Sequence, residues 1–201
     1  KISDGVFYKF CKKAINNPLE KFVLILDEIN RANITKVFGE LLVLIEDTKR
    51  NKNNAVKLMY KNDEYIYVPQ NLFIIGLMNT ADRSLKVVDY ALRRRFSFFT
   101  FEPQFDSSKF KDFLINKQVN LNTVNKLIKN LLALNKRIAD DTFDLGSGFC
   151  IGHSFFCPTN SKDLGEEWYE DIINNQIVPL IEEYYFDKPE IIEEIKTDLL
   201  S

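Results

Sequence analysis

Two acidic residues, Asp27 and Glu28, directly follow the apolar run FVLIL at 22–26. Ionised carboxylates beside so apolar a segment are costly unless a cation or hydrogen-bond donors accompany them. Nucleotide hydrolases use such a pair: the Asp orients the Mg²⁺ shell, and the Glu activates the water that attacks the γ-phosphate. A strand that ends in two solvated acids gives the same pattern, so the pair alone leaves both interpretations open.

A second polar turn, GLMNTADRS at 76–84, follows another apolar run. In open α/β sheets, ligands bind at the carboxyl ends of the strands. If the two strands are neighbours, Asn79 lies beside Asp27 and Glu28 and can hold the attacking water or a γ-phosphate oxygen. The alternative is a purely structural turn, since Asn-Thr-Ala-Asp is also good turn and N-cap sequence.

Three arginines in ALRRRF (91–96) end a predicted helix. Cations at a helix C-terminus interact favourably with the helix dipole, which explains them without any further function. The alternative is an arginine finger, which stabilises charge on a transferring phosphoryl group and can come from a neighbouring subunit. Three arginines between the Asn79 turn and another apolar run favour the finger.

Apolar periodicity predicts the elements that position these side chains. Continuous runs predict a strand at 22–27 that is buried on both faces of a parallel sheet, a second buried strand at 71–79 and a third at 96–102. Segments 56–60 and 64–68 predict a hairpin. Helices are predicted at 4–16, from Asn33 through Ile45, at 84–95, as a pair within 106–139, and near 163–175, 177–186 and 188–200. A boundary near Pro103 divides an α/β part, 1–102, from a helical part, 103–201.

Composition restricts the class of protein. The 201 residues are 45% apolar and 28% charged, with a net charge of −2, which is typical of a globular protein and not of a nucleic-acid-coating one. No apolar run approaches the roughly 20 residues of a membrane span. The three cysteines form no CxxC pair, so neither a zinc site nor a disulfide framework is expected, and a reduced, cytoplasmic location is predicted.

Longer motifs carry a resemblance to a known family. The segments LDEINRAN, VFGEL, VPQNLFIIGLMNTADRSL and VDYALRRRFSF, together with GSGFCIGHSFF at 146–156, resemble the McrB-type AAA+ GTPases. The resemblance covers nearly the whole chain, and the MNTADRS string is its most specific part. It implies a mainly parallel α/β sheet with flanking helices, followed by an all-helical lid.

The resemblance also implies roles for single residues. Asp27 and Glu28 match the Walker B pair, so Asp27 would hold Mg²⁺ and Glu28 would activate water. Asn79 matches sensor 1, which positions that water. Arg94 and Arg95 match the arginine fingers that reach into a neighbour's site.

Three more residues receive weaker assignments from the same resemblance. Asp82 and Arg83 would tie the sensor loop to the subunit interface and the nucleotide. His153 belongs to the lid motif near the nucleotide, although a partly buried histidine with structural partners is the alternative. Cys150 stands where the family commonly has a basic residue.

The phosphate-binding motif GxxxxGK[ST] does not occur in these 201 residues. In the resembled family it lies upstream, on the first strand and helix. The sequence therefore looks like a partial AAA+ module whose phosphate-loop strand is missing. We expect weak or no nucleotide binding by these residues alone.

The resemblance implies a GTP-hydrolysing motor that drives DNA translocation and cleavage in modification-dependent restriction, with GTP expected rather than ATP. It implies a homo-oligomeric ring, expected to be a hexamer, a McrC-type endonuclease subunit, and DNA contact through an N-terminal domain. Two alternatives stay open. One is a catalytically inactive, AAA+-derived interaction module, and the other is a MoxR-like or dynein-like ATP-driven chaperone motor.

Overall fold

The structure is a computed structural model, and it describes residues 4–31, 38–59, 64–79, 81, 90–159 and 164–201. The chain forms two compact units, Lys1–Phe99 and Thr100–Ser201. The first contains a parallel strand pair with flanking helices, and the second is helical. This agrees with the predicted fold class.

Strands β1 (Phe22–Leu26) and β4 (Leu72–Gly76) are hydrogen-bonded neighbours. They run parallel, in a register that pairs Phe22 with Leu72 and Leu26 with Gly76. The predicted strands therefore exist, and their carboxyl ends meet at one edge of the sheet. A short antiparallel hairpin of β2 (Val56–Lys57) and β3 (Tyr65–Ile66) confirms the predicted hairpin.

One face of the parallel pair is buried and the other is exposed. Phe22 and Leu72 belong to a buried cluster with Cys11 and Leu44, whereas the alternate residues of both strands are 45–60% exposed, namely Val23, Ile25, Phe73 and Ile75. The prediction that 22–27 is buried on both faces is wrong for this chain by itself. A continuous apolar run makes both faces of a strand apolar, but only packed neighbours bury them.

Helix α1 (Val6–Asn16) packs on the buried face and confirms the predicted first helix. Its end is fixed by one side chain, because Asn71 Nδ2 lies 2.9–3.0 Å from the carbonyl oxygens of Ala14, Asn17 and Glu20. Asn71 directly precedes β4. The amide therefore ties the end of the helix to the start of the strand that leads to Asn79.

The helix predicted from Asn33 falls partly on residues 32–37, outside the described part of the chain. Its described continuation, Gly39–Ile45, is a 3-10 helix. Gly39 has a φ of +53°, a left-handed conformation that favours glycine. A 3-10 helix has three residues per turn and an α-helix has 3.6. Residues that would share one face of an α-helix are therefore distributed differently around this helix.

Helix α2 (Tyr90–Arg93) is the described end of the helix predicted at 84–95, and residues 82–89 lie outside the description. The third strand predicted at 96–102 is wrong, since those residues have no regular structure and Phe98, Phe99 and Phe101 are 50–95% exposed. A strand requires a hydrogen-bonded neighbour. Among the described residues, no strand pairs with this segment.

The second unit confirms the predicted helical part. Its helices are α3 (Ser108–Asn116), α4 (Leu121–Asp140), α5 (Glu166–Ile172), α6 (Val178–Tyr184) and α7 (Pro189–Leu200). A π-helical turn, Ile173–Ile177, joins α5 to α6. No helix in the described ranges has the length and apolarity needed to cross a membrane.

A buried amide organises the long connection after α4. Asn135 is 9% exposed, and its Nδ2 donates to the carbonyl of Ile151 at 2.9 Å. The N–H of Ile151 donates back to Asn135 Oδ1 at 2.6 Å. The Asn135 amide thus makes the two hydrogen bonds that a neighbouring strand would make with the backbone of Ile151. These bonds hold the GSGFCIGH segment against α4.

Candidate functional site

The ladder between β1 and β4 continues past the strands into the polar turns. Leu77 N–H donates to Leu26 O, and Ile29 N–H donates to Leu77 O, both at 2.9 Å. Asp27 and Glu28 lie between these bonds, and both are exposed. Glu28 has a φ of +50°, a left-handed conformation that a non-glycine residue rarely adopts. The backbone therefore departs from regular strand geometry at the acidic pair.

The acidic pair has local hydrogen-bonding partners. The Glu28 N–H donates to Asp27 Oδ1 at 3.0 Å, and the Glu28 carboxylate pairs with Arg31 at 3.0 Å. Glu28 and Arg31 are about half exposed, so this ion pair contributes little stability, about 0–1 kcal/mol. The acidic pair was expected to have a cationic partner, and Arg31, three residues after Glu28, is such a partner. The pair is weak enough to be exchanged for another partner.

Asn79 is joined to this edge through a residue that sequence reasoning missed. Asn30 Nδ2 donates to the carbonyl oxygen of Asn79 at 3.1 Å. Asn79 Oδ1 accepts the N–H of Ala81 at 3.0 Å, so the side chain also forms the turn that its sequence indicates. The only signal for Asn30 in the sequence was its position two residues after Glu28, in DEIN.

An apolar cluster lies beneath the acidic edge. Ile29 is 6% exposed and packs in a cluster with Leu42, Ile45 and Leu92. Gly76 allows this packing, because a Cβ at that position would lie 2.9 Å from Ile29 Cδ1. The buried side chain of Ile29 thereby anchors the backbone of the acidic turn.

The two arginines of the predicted finger differ in their surroundings. Arg95 is 12% exposed in its side chain, and its Nη2 lies 2.7 Å from Glu46 Oε1. Arg94 is exposed. Both line a cleft of about 370 Å³ with Glu46, Asp47 and Thr48. Arg95 therefore forms an ion pair with Glu46, and Arg94 is an exposed residue of the same cleft.

The remaining predicted site residues are Asp82, Arg83 and His153. Asp82 and Arg83 fall outside the described residues. His153 belongs to the second unit, where its Nδ1 accepts the Gln104 N–H at 3.2 Å and its ring lies 5.5 Å from that of Phe110. These contacts are the structural partners that the alternative interpretation expects, and the nucleotide-binding assignment of His153 stays a prediction.

The donor atoms at the edge suit Mg²⁺. They are carboxylate and amide oxygens, which hard divalent cations prefer. Within the described ranges, no group of three or more His, Cys, Asp or Glu side chains is arranged to hold a metal. Mg²⁺ needs no such group, since proteins commonly bind it through one or two carboxylates with phosphates and water.

Comparison with known proteins decides the family. Residues 1–96 match the family model of the AAA domain, dynein-related subfamily, and residues 126–193 match that of the McrB α-helical lid domain. The chain is 50% identical over 190 residues to the type IV methyl-directed restriction enzyme EcoKMcrB subunit of Escherichia coli K12. The chain belongs to the McrB-type AAA proteins.

The McrB-type assignment covers both units. The AAA match contains the acidic edge and the arginines, and the lid match contains Asn135, Ile151 and His153. The alignment with the E. coli subunit covers 92% of this chain but 41% of that protein, so the chain spans about two fifths of the relative's length. A second relative, the type II restriction enzyme BsuMI component YdiS of Bacillus subtilis 168, is 35% identical over 105 residues, which are 47% of this chain and 31% of that protein.

Proposed function

We propose that this McrB-type chain provides the Walker B, sensor 1 and arginine-finger parts of an AAA+ motor that hydrolyses GTP in modification-dependent DNA restriction. The observation that carries the proposal is the hydrogen bond from Asn30 to the Asn79 carbonyl, because it ties the acidic turn and the asparagine turn to one edge. Half of the aligned residues are identical to those of a restriction-enzyme subunit, which supports the biological setting.

The acidic edge would perform the hydrolytic chemistry. Asp27 would hold Mg²⁺, directly or through water, and the ion would neutralise charge developing on the phosphates. Glu28 would accept a proton from the attacking water. Because Asn79 Oδ1 is already engaged by Ala81, its Nδ2 would be the atom that donates to the water or to a phosphate oxygen.

The arginines would act between subunits. Arg94 and Arg95 would stabilise charge on the phosphoryl group bound by a neighbouring copy, with Asp82 and Arg83 linking that interface to the sensor turn. Such head-to-tail contacts close into a ring when the rotation between subunits permits, and a hexamer is the expected size. His153 of the lid would approach the nucleotide. A McrC-type subunit would cut DNA that an N-terminal domain recognises.

The test is Glu28→Gln in the full-length gene product, with Glu20→Gln as a control at another exposed carboxylate. We expect GTP turnover to fall by about 10²-fold or more, because the general base is lost, while GTP affinity stays within a factor of about three. Steady-state hydrolysis and calorimetric binding measure the two quantities. Retention of wild-type turnover would exclude the assigned role.

The wild-type protein separates the alternatives in the same assay. Hydrolysis of neither GTP nor ATP would favour an inactive interaction module. Hydrolysis of ATP in clear preference to GTP would favour a chaperone-type motor. GTP hydrolysis stimulated by a McrC-type subunit is the result that the proposal expects.

A further inference from the structure

We infer that the two ring nitrogens of His153 have separate tasks: Nδ1 fastens the entry segment of the second unit to the lid motif, which leaves Nε2–H as the donor that would reach a nucleotide phosphate. The lid motif comprises residues 146–156, and the entry segment comprises residues 100–107, directly before α3. The task of Nε2 rests on the proposed function, whereas the task of Nδ1 requires no nucleotide.

The bond at Nδ1 joins the lid motif to the entry segment. His153 Nδ1 accepts the N–H of Gln104 at 3.2 Å, across 49 positions of sequence. The carbonyl oxygen of Gln104 accepts the N–H of Ser107 at 3.2 Å, so Gln104 begins a turn directly before α3. The imidazole therefore holds the turn that leads into that helix, and His153 is a positioning residue for it.

Aromatic packing fixes the plane of the imidazole. The His153 ring lies 5.5 Å from the ring of Phe110 and 6.4 Å from that of Phe105, and both contacts are edge-on. The two phenylalanines are buried. Edge-on aromatic pairs at these distances are favourable. The packing and the hydrogen bond together keep Nδ1 directed at Gln104.

The backbone of the lid motif is anchored on both sides of His153. Two residues earlier, Ile151 exchanges two hydrogen bonds with the side chain of Asn135 on α4. Three residues later, Phe156 is fully buried. Because the chain is fixed before and after it, His153 is placed by the fold of the second unit and needs no ligand to place it.

The bond at Nδ1 also determines which nitrogen carries the ring hydrogen. In a neutral imidazole one nitrogen carries the hydrogen and the other accepts, so an Nδ1 that accepts a backbone N–H leaves the hydrogen on Nε2. Within the described part of the chain, Nε2 has no hydrogen-bond partner, and it is not one of the buried polar atoms that lack a partner. Nε2–H is therefore open to an external acceptor, and a phosphate oxygen is an acceptor of that kind.

The position of the ring hydrogen can be measured directly, because His153 is the only histidine of the 201 residues. In this chain labelled with ¹⁵N-histidine, without nucleotide at pH 8, we expect the NMR spectrum of a neutral imidazole with its hydrogen on Nε2. A spectrum with the hydrogen on Nδ1, or an average of the two forms, overturns the inference, since Nδ1 would then not be held as an acceptor.

Three replacements separate the two nitrogens. His153→Asn places an amide oxygen near the position of Nδ1 and has no group at Nε2, whereas His153→Gln reaches the position of Nε2 and has no group at Nδ1. His153→Ala lacks both groups and is the matched baseline, since all three variants lose the ring packing.

Melting and nucleotide affinity should rank these variants in opposite orders. In the 201-residue chain, we expect His153→Asn to melt about 2–4 °C above the other two, because it keeps one hydrogen bond. In the full-length gene product, we expect His153→Gln to bind GTP about tenfold more tightly than the other two, because it keeps a hydrogen bond to a charged acceptor. Thermal melts and calorimetry measure the two quantities.

Each task has an outcome that refutes it. If His153→Asn melts no higher than His153→Ala, Nδ1 does not fasten the entry segment. If His153→Gln binds GTP no more tightly than His153→Ala, Nε2 does not reach the nucleotide. Absence of GTP binding by the wild-type full-length product would refute the proposed function and the task of Nε2 together, while the melts and the NMR spectrum still decide the task of Nδ1.

Discussion

Asn30 Nδ2 donates a hydrogen bond of 3.1 Å to the carbonyl oxygen of Asn79, across 49 positions of sequence. The bond joins the loop after β1 to the loop after β4 and so links the two polar turns at the edge of the sheet. We therefore expect Asn30 to act as a positioning residue that places Asn79 relative to the acidic pair.

Replacing Asn30 should separate placement from stability. Asn30→Ala removes one hydrogen bond worth about 1 kcal/mol, so we expect a shift of only a few degrees in melting temperature. Turnover of the full-length product should fall by about tenfold or more, because Asn79 is no longer held in position. Hydrolysis rates and thermal melts measure the two effects. Asn53→Ala, at an exposed asparagine, is the control. Turnover of Asn30→Ala within twofold of wild type would contradict the positioning role of Asn30.

Adding a methyl group at Gly76 should disturb the support of the acidic turn. A Cβ there would lie 2.9 Å from Ile29 Cδ1 and 3.2 Å from its Cγ2. Because Ile29 is buried, we expect Gly76→Ala to lower the free energy of unfolding by about 1–3 kcal/mol. Denaturant unfolding measures this, and Ile29→Val in the same background should recover part of the loss. Gly5→Ala is the control, since nothing lies within 4 Å of its Cβ position; equal effects at the two glycines would refute the steric argument.

Removing the Asn135 amide should destabilise the second unit. Asn135→Ala leaves both the N–H and the carbonyl of Ile151 without their partner, for which we expect a loss of about 2–4 kcal/mol. Trp168, the single tryptophan, lies with its ring 6.4 Å from that of Phe156, so its fluorescence reports on this unit. Asn125→Ala is an exposed control on the same helix. An unchanged fluorescence midpoint for Asn135→Ala would show that the amide is dispensable.

Cys11 should be protected from thiol reagents. It is fully buried, and burial raises the pKa of its thiol to about 12 from 9.0, with the nearby Arg50 opposing the shift. The nucleophilic thiolate is therefore scarce at pH 8, and we expect iodoacetamide to label the exposed Cys157 long before Cys11 in the folded protein. Peptide mass spectrometry follows each site. Equal labelling rates would mean that the buried environment opens readily.

The same pKa shift predicts a loss of stability in alkali. Because the folded-state pKa of Cys11 is raised, its contribution to stability is fully present below pH 9, the pKa of an unperturbed thiol. It is lost between about pH 9 and 12, since the unfolded chain releases the proton first. Unfolding free energy measured against pH should fall less steeply in Cys11→Ala than in the wild type. An identical slope would exclude this thiol as the cause.

Much of the local structure could be predicted because it depends on patterns of neighbouring residues. The apolar runs at β1 and β4 are strongly strand-forming, and the heptad-like spacing in α4 places its apolar residues on one face. The aromatic run at 96–102 shows the limit of this logic. Its composition favours a strand, yet a strand exists only where another strand pairs with it.

The sequence by itself determined the two parallel strands, the first helix, the helices of the second unit and which polar side chains follow the two strands. Those features reside in residue type and periodicity over a few positions. The tertiary structure decided that Asn30 binds the Asn79 carbonyl, that Glu46 forms an ion pair with Arg95, and that one face of the sheet pair is exposed. The physical reason is that each of these features joins residues tens of positions apart, and only packing brings such residues within hydrogen-bonding distance.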